Sequence, residues 1–129
     1  MLNGKNALVT GSTSGIGLGI ALGLARQGAN VILNGFGDRE GPLAAVAAAG
    51  AAAGIRTGFH GADMSKPAEI EQMMAWAGAE FGGIDILVNN AGIQHVAPVE
   101  AFPVERWDAI IAINLSSAFH TTRLAIPAM

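Results

Sequence analysis

An apolar run, Ala7-Leu8-Val9, passes directly into Thr10-Gly11-Ser12-Thr13-Ser14-Gly15-Ile16-Gly17, and from there into an apolar stretch reaching Ala25. A short buried strand, a glycine-rich turn and a helix N-terminus follow one another in that order. This arrangement presents backbone N–H groups and the positive end of a helix to an anion. Gly11 and Gly15 are free to take backbone angles closed to other residues and let a phosphate approach the main chain. The hydroxyls of Ser12, Thr13 and Ser14 are further donors. The spacing is G-x-x-x-G-x-G, a variant of the commoner G-x-G-x-x-G.

Downstream, apolar runs and helical stretches alternate. Residues 7–10 read as a first strand and 16–27 as a helix closed by Gly28. Residues 30–34 read as a second strand, and the alanine-rich stretch 42–53 as a second helix with Gly54 just past its end. Residues 56–60 form a weaker third strand. Ser65 is placed as the N-cap of a third helix, with Pro67 in its first turn and Phe81 near its end. Residues 84–88, apolar apart from Asp85, read as a fourth strand expected to be buried on both faces. A last helical region covers roughly 104–124. Strands alternating with helices specify an α/β chain with a parallel sheet covered on both faces.

The carboxyl ends of the strands concentrate the candidate binding residues, and in an open parallel sheet that edge is where ligands bind. Phe36 follows strand two and suits the face of an adenine or ribose. Asp63 and Met64 follow strand three, where a carboxylate can accept from an adenine amino group or simply precede a helix. Asn89, Asn90, Ala91 and Gly92 follow strand four and bring amides to the same crevice. With Gly11, Thr13, Ser14, Gly15, Ile16 and Gly17, these residues outline a dinucleotide site. The end of strand two selects the cofactor: Gly35, Phe36 and Gly37 are neutral, Asp38 repels a 2′-phosphate, and Arg39 is able to bind one. The balance favours NAD over NADP.

Composition limits the alternatives. At 129 residues the chain accommodates one domain. Charged residues make up 13% and hydrophobic ones 51%, against about 25% charged in an ordinary globular domain. Apolar surface is therefore expected to be covered by another chain or by further sequence. The net charge of −3, without a basic cluster, disfavours nucleic acid and anionic membrane. No apolar run approaches the roughly 18 residues of a membrane span, and residues 1–5 lack a secretion-signal layout. A cytoplasmic location is the expectation. With no cysteine, and with His60 and His120 lacking partners at metal-ligand spacing, no metal site is expected.

The T-G-x-x-x-G-x-G turn, Asp63 after strand three and Asn89-Asn90-Ala91-Gly92 after strand four resemble the short-chain dehydrogenases/reductases over the whole chain. The resemblance implies a Rossmann-type sheet of strand order 3-2-1-4, about four strands being present. Residues 11–20, 33–38 and 89–95 are similar to the branch that oxidises a small D-3-hydroxy acid with NAD. That likeness implies a tetramer using the helix that begins near Ile110, and Gln94 as a holder of the substrate carboxylate. His95 is a neighbouring substrate contact or a solvated loop residue.

The family's catalytic set is Asn, Ser, Tyr and Lys, and Asn114 matches the first. Ile110, Ile111, Ile113, Leu115, Ala118 and Phe119 surround it in sequence, so its amide is expected to be buried and partnered. The resemblance implies a local helix irregularity there; an Asn capping a break between two helices is the plainer reading. The sequence has no tyrosine, and its two lysines, Lys5 and Lys66, lie far upstream. Residues 1–129 are therefore expected to be the NAD-binding, amino-terminal half of a single-domain dehydrogenase, inactive without its carboxyl-terminal half. The alternatives are an NADP-dependent 3-oxoacyl reductase of the same family and a noncatalytic dinucleotide-binding module. Trp76 and Trp107 are read as packing residues.

Overall fold

The computed structural model describes residues 1–129. Four parallel strands, β1 (Asn6–Val9), β2 (Asn30–Asn34), β3 (Thr57–His60) and β4 (Ile86–Val88), lie in the order β3-β2-β1-β4. Their registers bring Leu8 between Ile32 and Leu87, and Ile32 beside Gly58. Helices α1 (Gly15–Arg26), α2 (Glu40–Ala49), α3 (Pro67–Phe81), α4 (Val104–Ile110) and α5 (Ser117–Ala125) complete the chain.

Strand side chains alternate between two cores. Leu8 and Ile32 join Ile70, Met73, Met74 and Ala77 of α3 and Ala125 of α5 on one face. Val9, Val31 and Leu33 join Ala21 and Ala25 of α1 and Val46 of α2 on the other. Leu8, Ile32 and Leu33 are completely buried, each contributing about 2–3 kcal/mol of hydrophobic free energy. On α1 the buried positions are Gly17, Ala21 and Ala25, four residues apart. That stripe of small side chains lets the helix lie close on the sheet.

Several expected boundaries are displaced for physical reasons. The alanine-rich helix stops at Ala49, and residues Ala51–Ala53 form a 3-10 turn instead. Ile55 packs directly over Gly50 where a Cβ would sit, leaving no room for a larger residue at the break. Ser65 does not cap α3: Lys66 holds that position, and the Ser65 hydroxyl turns back to Asp63 Oδ1 at 2.7 Å. β4 is three residues long, half-buried and at the sheet edge rather than enclosed on both faces. The last helical region is continuous but not uniform. Between α4 and α5 it widens into a π-helical segment, Ile111–Ser116, with Asn114 inside it. No helix is long and apolar enough to cross a membrane.

Candidate functional site

Because all four strands run the same way, their carboxyl ends meet at one edge. A crevice of about 250 Å³ opens there, lined by Gly11, Thr13 and Ser14 after β1, and by Asn34, Gly35 and Phe36 at the end of β2. Ala62 and Met64 after β3 and Ala91, Gly92 and Ile93 after β4 complete the walls, with Ile113 from the π-helical segment.

The glycine-rich turn has the conformation its spacing implies. Gly11 and Gly15 have φ of 60° and 57°, the left-handed region that disfavours side chains. A Cβ on Gly11 would lie 2.9 Å from Ala91 Cα. Ser14 occupies the N-cap of α1 without a side-chain cap bond, and the first turn carries no acid. The helix end therefore keeps its amide donors and its positive potential for an incoming anion. Thr13 packs against Gly35. These features fit a dinucleotide phosphate group.

Other expected residues occupy different places. Ser12 is buried, its hydroxyl donating to the Val9 carbonyl (2.7 Å) and accepting from Asn34 N–H (3.0 Å), so it has no donor left for a ligand. Gly17 lies beneath the turn, where a Cβ would strike the Gly11 carbonyl. Gly15 and Ile16 are exposed at the start of α1, outside the crevice lining. Asn90 also lies outside that lining: its Nδ2 donates to the carbonyls of Thr10 (3.2 Å) and Gly11 (2.9 Å). Asn89 faces α5, bonded to Thr121 and Thr122. Asp63 flanks the crevice, and its Oδ1 accepts from the Ser65 hydroxyl and N–H. Those two bonds hold its carboxyl below the usual pKa.

Phe36 lines the crevice and is 69% exposed, a flat apolar surface presented to solvent. Asp38 is spent on structure, Oδ1 accepting from Glu40 and Gly41 N–H at the start of α2. The Arg39 guanidinium stacks 4.9 Å from the Phe59 ring centroid. Both charged residues read from the sequence as cofactor selectors thus have local partners.

Asn114 corrects one expectation and keeps another. It is exposed, not buried, yet both ends of its amide are engaged by the backbone of Ile93. Its apolar neighbours explain the mistaken inference: Leu115 and Phe119 face solvent, 65% and 62% exposed. Gln94 is exposed and His95 half-buried, its ring edge-on to Phe102 at 5.3 Å; neither lines the crevice. Trp76 packs against His60 and Phe81 as expected. Trp107 does not belong to a core: it is 57% exposed and, with Val99, Phe102 and Val104, forms an apolar recess of about 340 Å³.

Two residues escaped the sequence reading. Thr10 is buried, and its Oγ1 accepts the N–H groups of Asn90 (3.0 Å) and Ala91 (2.9 Å), tying the turn to the loop after β4. Asn34 ties it to the loop after β3. The available signal was a polar residue ending each apolar strand, directly at the ligand edge.

Residues 5–129 match the short chain dehydrogenase family. The chain is 74% identical over all 129 residues to D-beta-hydroxybutyrate dehydrogenase of Cupriavidus necator, covering 49% of it. It is 57% identical over 128 residues to the enzyme of that name from Rhizobium meliloti, covering 97% of this chain and 48% of that one. The chain thus spans about half the length of these curated relatives. Among solved structures, a Serratia marcescens short-chain dehydrogenase/reductase superposes with a TM-score of 0.87 at 34% identity, over 99% of this chain and 52% of that one. An NADH-dependent reductase complexed with NAD superposes with a TM-score of 0.87 at 37% identity, over 98% and 52%. L-sorbose reductase of Gluconobacter frateurii, complexed with NADPH and L-sorbose, gives 0.86 at 32% identity, over 98% and 48%. With the glycine turn, the strand order and the crevice in agreement, the chain belongs to the short-chain dehydrogenase family, whose members bind a nicotinamide dinucleotide.

Proposed function

We propose that this chain is the NAD-binding half of an enzyme that oxidises D-3-hydroxybutyrate to acetoacetate. The observation that carries the reading is the 74% identity, over every residue of the chain, to a relative named for that substrate. The crevice supports it physically. The α1 N-terminus and Gly11 offer an uncapped anion site, Phe36 and Met64 wall the adenosine side, and the loop 91–93 walls the opposite end. NAD rather than NADP is favoured because Gly35 and Phe36 supply no positive charge and Arg39 is engaged by Phe59.

A nicotinamide held there would supply the hydride acceptor for the carbinol carbon of the substrate. Asn114 holds the loop at Ile93 in place beside the site, and Gln94, with His95 beside it, is assigned to the substrate carboxylate although neither lines the crevice in this structure. The hydroxyl proton goes to a tyrosine base assisted by lysine, supplied from outside these residues because the sequence contains no tyrosine. We further assign the protein to the cytoplasm and to a homotetramer assembled through the last helical region, from about Ile110 onward, where Leu115 and Phe119 are exposed. A second reading, an NADP-dependent 3-oxoacyl reductase, is favoured by Arg39 alone, a cation at the start of α2 in the connection that follows β2.

Fluorescence titration with NADH is the direct test, and saturable binding is expected. The 129-residue chain alone is expected to give no turnover of D-3-hydroxybutyrate with NAD. Absence of NADH binding sinks the cofactor assignment, and turnover by this chain alone sinks the placement of proton transfer outside it.

A further inference from the structure

Asn34 is 1% exposed and ends β2, directly after the apolar run Val31-Ile32-Leu33. A buried carboxamide is costly unless its polar atoms are matched, and the partners of this one belong to two different walls of the crevice. Its Oδ1 accepts the N–H of Gly11 at 3.0 Å, on the phosphate turn. Its Nδ2 donates to the carbonyls of His60 at 2.9 Å and Ala62 at 3.1 Å, at the end of β3 and in the loop beyond it. Its backbone is paired with the turn as well: Asn34 N–H donates to Ser12 Oγ at 3.0 Å, and Ser12 N–H donates to the Asn34 carbonyl at 2.7 Å.

One planar group therefore sets the separation between the phosphate turn and the Ala62–Met64 wall. Its orientation is chemically determined, since an acceptor must face Gly11 N–H and a donor must face the two carbonyls. No aliphatic residue supplies either function, and a carboxylate supplies only the acceptor.

We propose that Asn34 is a positioning residue for the cofactor, holding the phosphate-binding and adenosine-binding walls at a fixed spacing so that a dinucleotide spanning both binds as one rigid ligand. The proposal rests on the dinucleotide reading of the crevice. Asn34 acts through Gly11 and Ala62, and its effect grows with the part of the ligand that bridges them. A ligand occupying one wall gains little from the spacing. A ligand occupying both loses affinity when the walls drift, because it must order them on binding.

The test compares NADH with adenosine on the protein and on Asn34→Ala, well below the melting temperature. NADH affinity is expected to fall on the order of tenfold while adenosine affinity changes by about twofold or less. A merely structural role would lower the melting temperature and leave that ratio unchanged. Equal losses for the two ligands, or NADH binding within about twofold of the original, overturn the proposal. Should Asn34→Ala fail to fold, the unsubstituted protein decides by nuclear magnetic resonance. Inorganic pyrophosphate alone, which reaches only the turn, is expected to shift the Asn34 side-chain amide and the Ala62 backbone amide. Unmoved resonances at saturating pyrophosphate overturn it. Failure of the unsubstituted protein to bind NADH at all is a different result, and removes the dinucleotide reading itself.

Discussion

Asn114 clasps Ile93 in both directions, Oδ1 accepting its N–H and Nδ2 donating to its carbonyl, each at 2.9 Å. The pairing fastens the π-helical segment to the loop after β4, at a residue that lines the crevice. π-Helical segments cost hydrogen-bond geometry and are frequent at functional sites. Here the widened turn carries the side chain that fixes a binding wall.

Asn114→Ala removes both bonds. Water replaces them in part because the site is exposed, so the loss of stability is expected to be about 1 kcal/mol. That corresponds to a fall of about 4 °C in Tm for a domain of this size. In a complete enzyme kcat is expected to fall while NADH affinity changes little, since Gly11 and the α1 N-terminus are untouched. Stopped-flow binding beside steady-state kinetics separates the two. A large loss of NADH affinity with kcat preserved would make the clasp a cofactor contact instead.

The glycines of the turn are expected to fail in different ways. At Gly15 a Cβ meets nothing within 4 Å, but φ is 57°, so Gly15→Val costs about 1–2 kcal/mol of backbone strain. The new side chain occupies the space above the turn, and NADH binding is expected to disappear from a folded protein. At Gly17 a Cβ collides with the Gly11 carbonyl and lies 2.5 Å from Asn90 Nδ2. Gly17→Ala is expected to lower Tm sharply as well as abolish binding. Calorimetry with and without NADH distinguishes them; intact affinity in Gly15→Val would remove the turn from the phosphate site.

Much of this arrangement was readable before the fold was known. The parallel sheet and its ligand edge follow from the alternation of short apolar runs with helices, whereas the order β3-β2-β1-β4 was implied by the family resemblance, and the edge strands β3 and β4 are only half-buried. The crevice residues Gly11, Phe36, Met64 and Gly92 were readable for the same reason, standing just past strand ends. For Ser12 and Asn90 the hydrogen-bonding type did not reveal the direction in which the side chain faces. Each has the chemistry of a ligand contact but faces the protein, toward Val9 and Asn34 or toward Thr10 and Gly11. Asn114 was expected to be buried because its neighbours are apolar, but Leu115 and Phe119 are themselves exposed and Ile110, Ile111 and Ile113 only half-buried.

Cofactor preference is expected to depend more on Phe36 than on Asp38. The Asp38 carboxylate receives two N–H bonds at the start of α2, so Asp38→Ala alone costs about 1 kcal/mol of helix stability and changes the NADH:NADPH affinity ratio little. Phe36→Ser combined with Asp38→Arg opens the wall and adds a cation, and the ratio is expected to move toward NADPH by tenfold or more, on the order of 1.4 kcal/mol. Parallel titrations with both cofactors measure it. An unmoved ratio in the double variant would place selection elsewhere.

The exposed side chains of Leu115 and Phe119 on the last helical region are expected to be buried between copies in the proposed tetramer. Phe119→Glu replaces an apolar contact of about 1.5–3 kcal/mol per copy with a charge. Light scattering is expected to show a smaller assembly with NADH affinity retained. An unaltered molar mass would exclude this face from the interface.

Acidification is expected to destabilise the fold through His60 before the carboxylates respond. His60 Nδ1 accepts the Ala62 N–H at 3.2 Å, which only a neutral imidazole can do. Burial lowers its pKa from 6.5, with Glu69 pulling the other way. Because the folded pKa lies below the unfolded one, the contribution is complete above about pH 6.5 and is lost as the pH falls through the folded value. Asp63, held low chiefly by the Ser65 hydroxyl, acts with the same sign, its share being lost below about pH 4. Tm is therefore expected to be flat from about pH 8 to 7 and to decline below about pH 6, with NADH affinity declining alongside because Ala62 lines the crevice. His60→Gln is expected to remove the first part of that decline and leave the part below about pH 4. An identical Tm profile in the variant would transfer the first transition to another group.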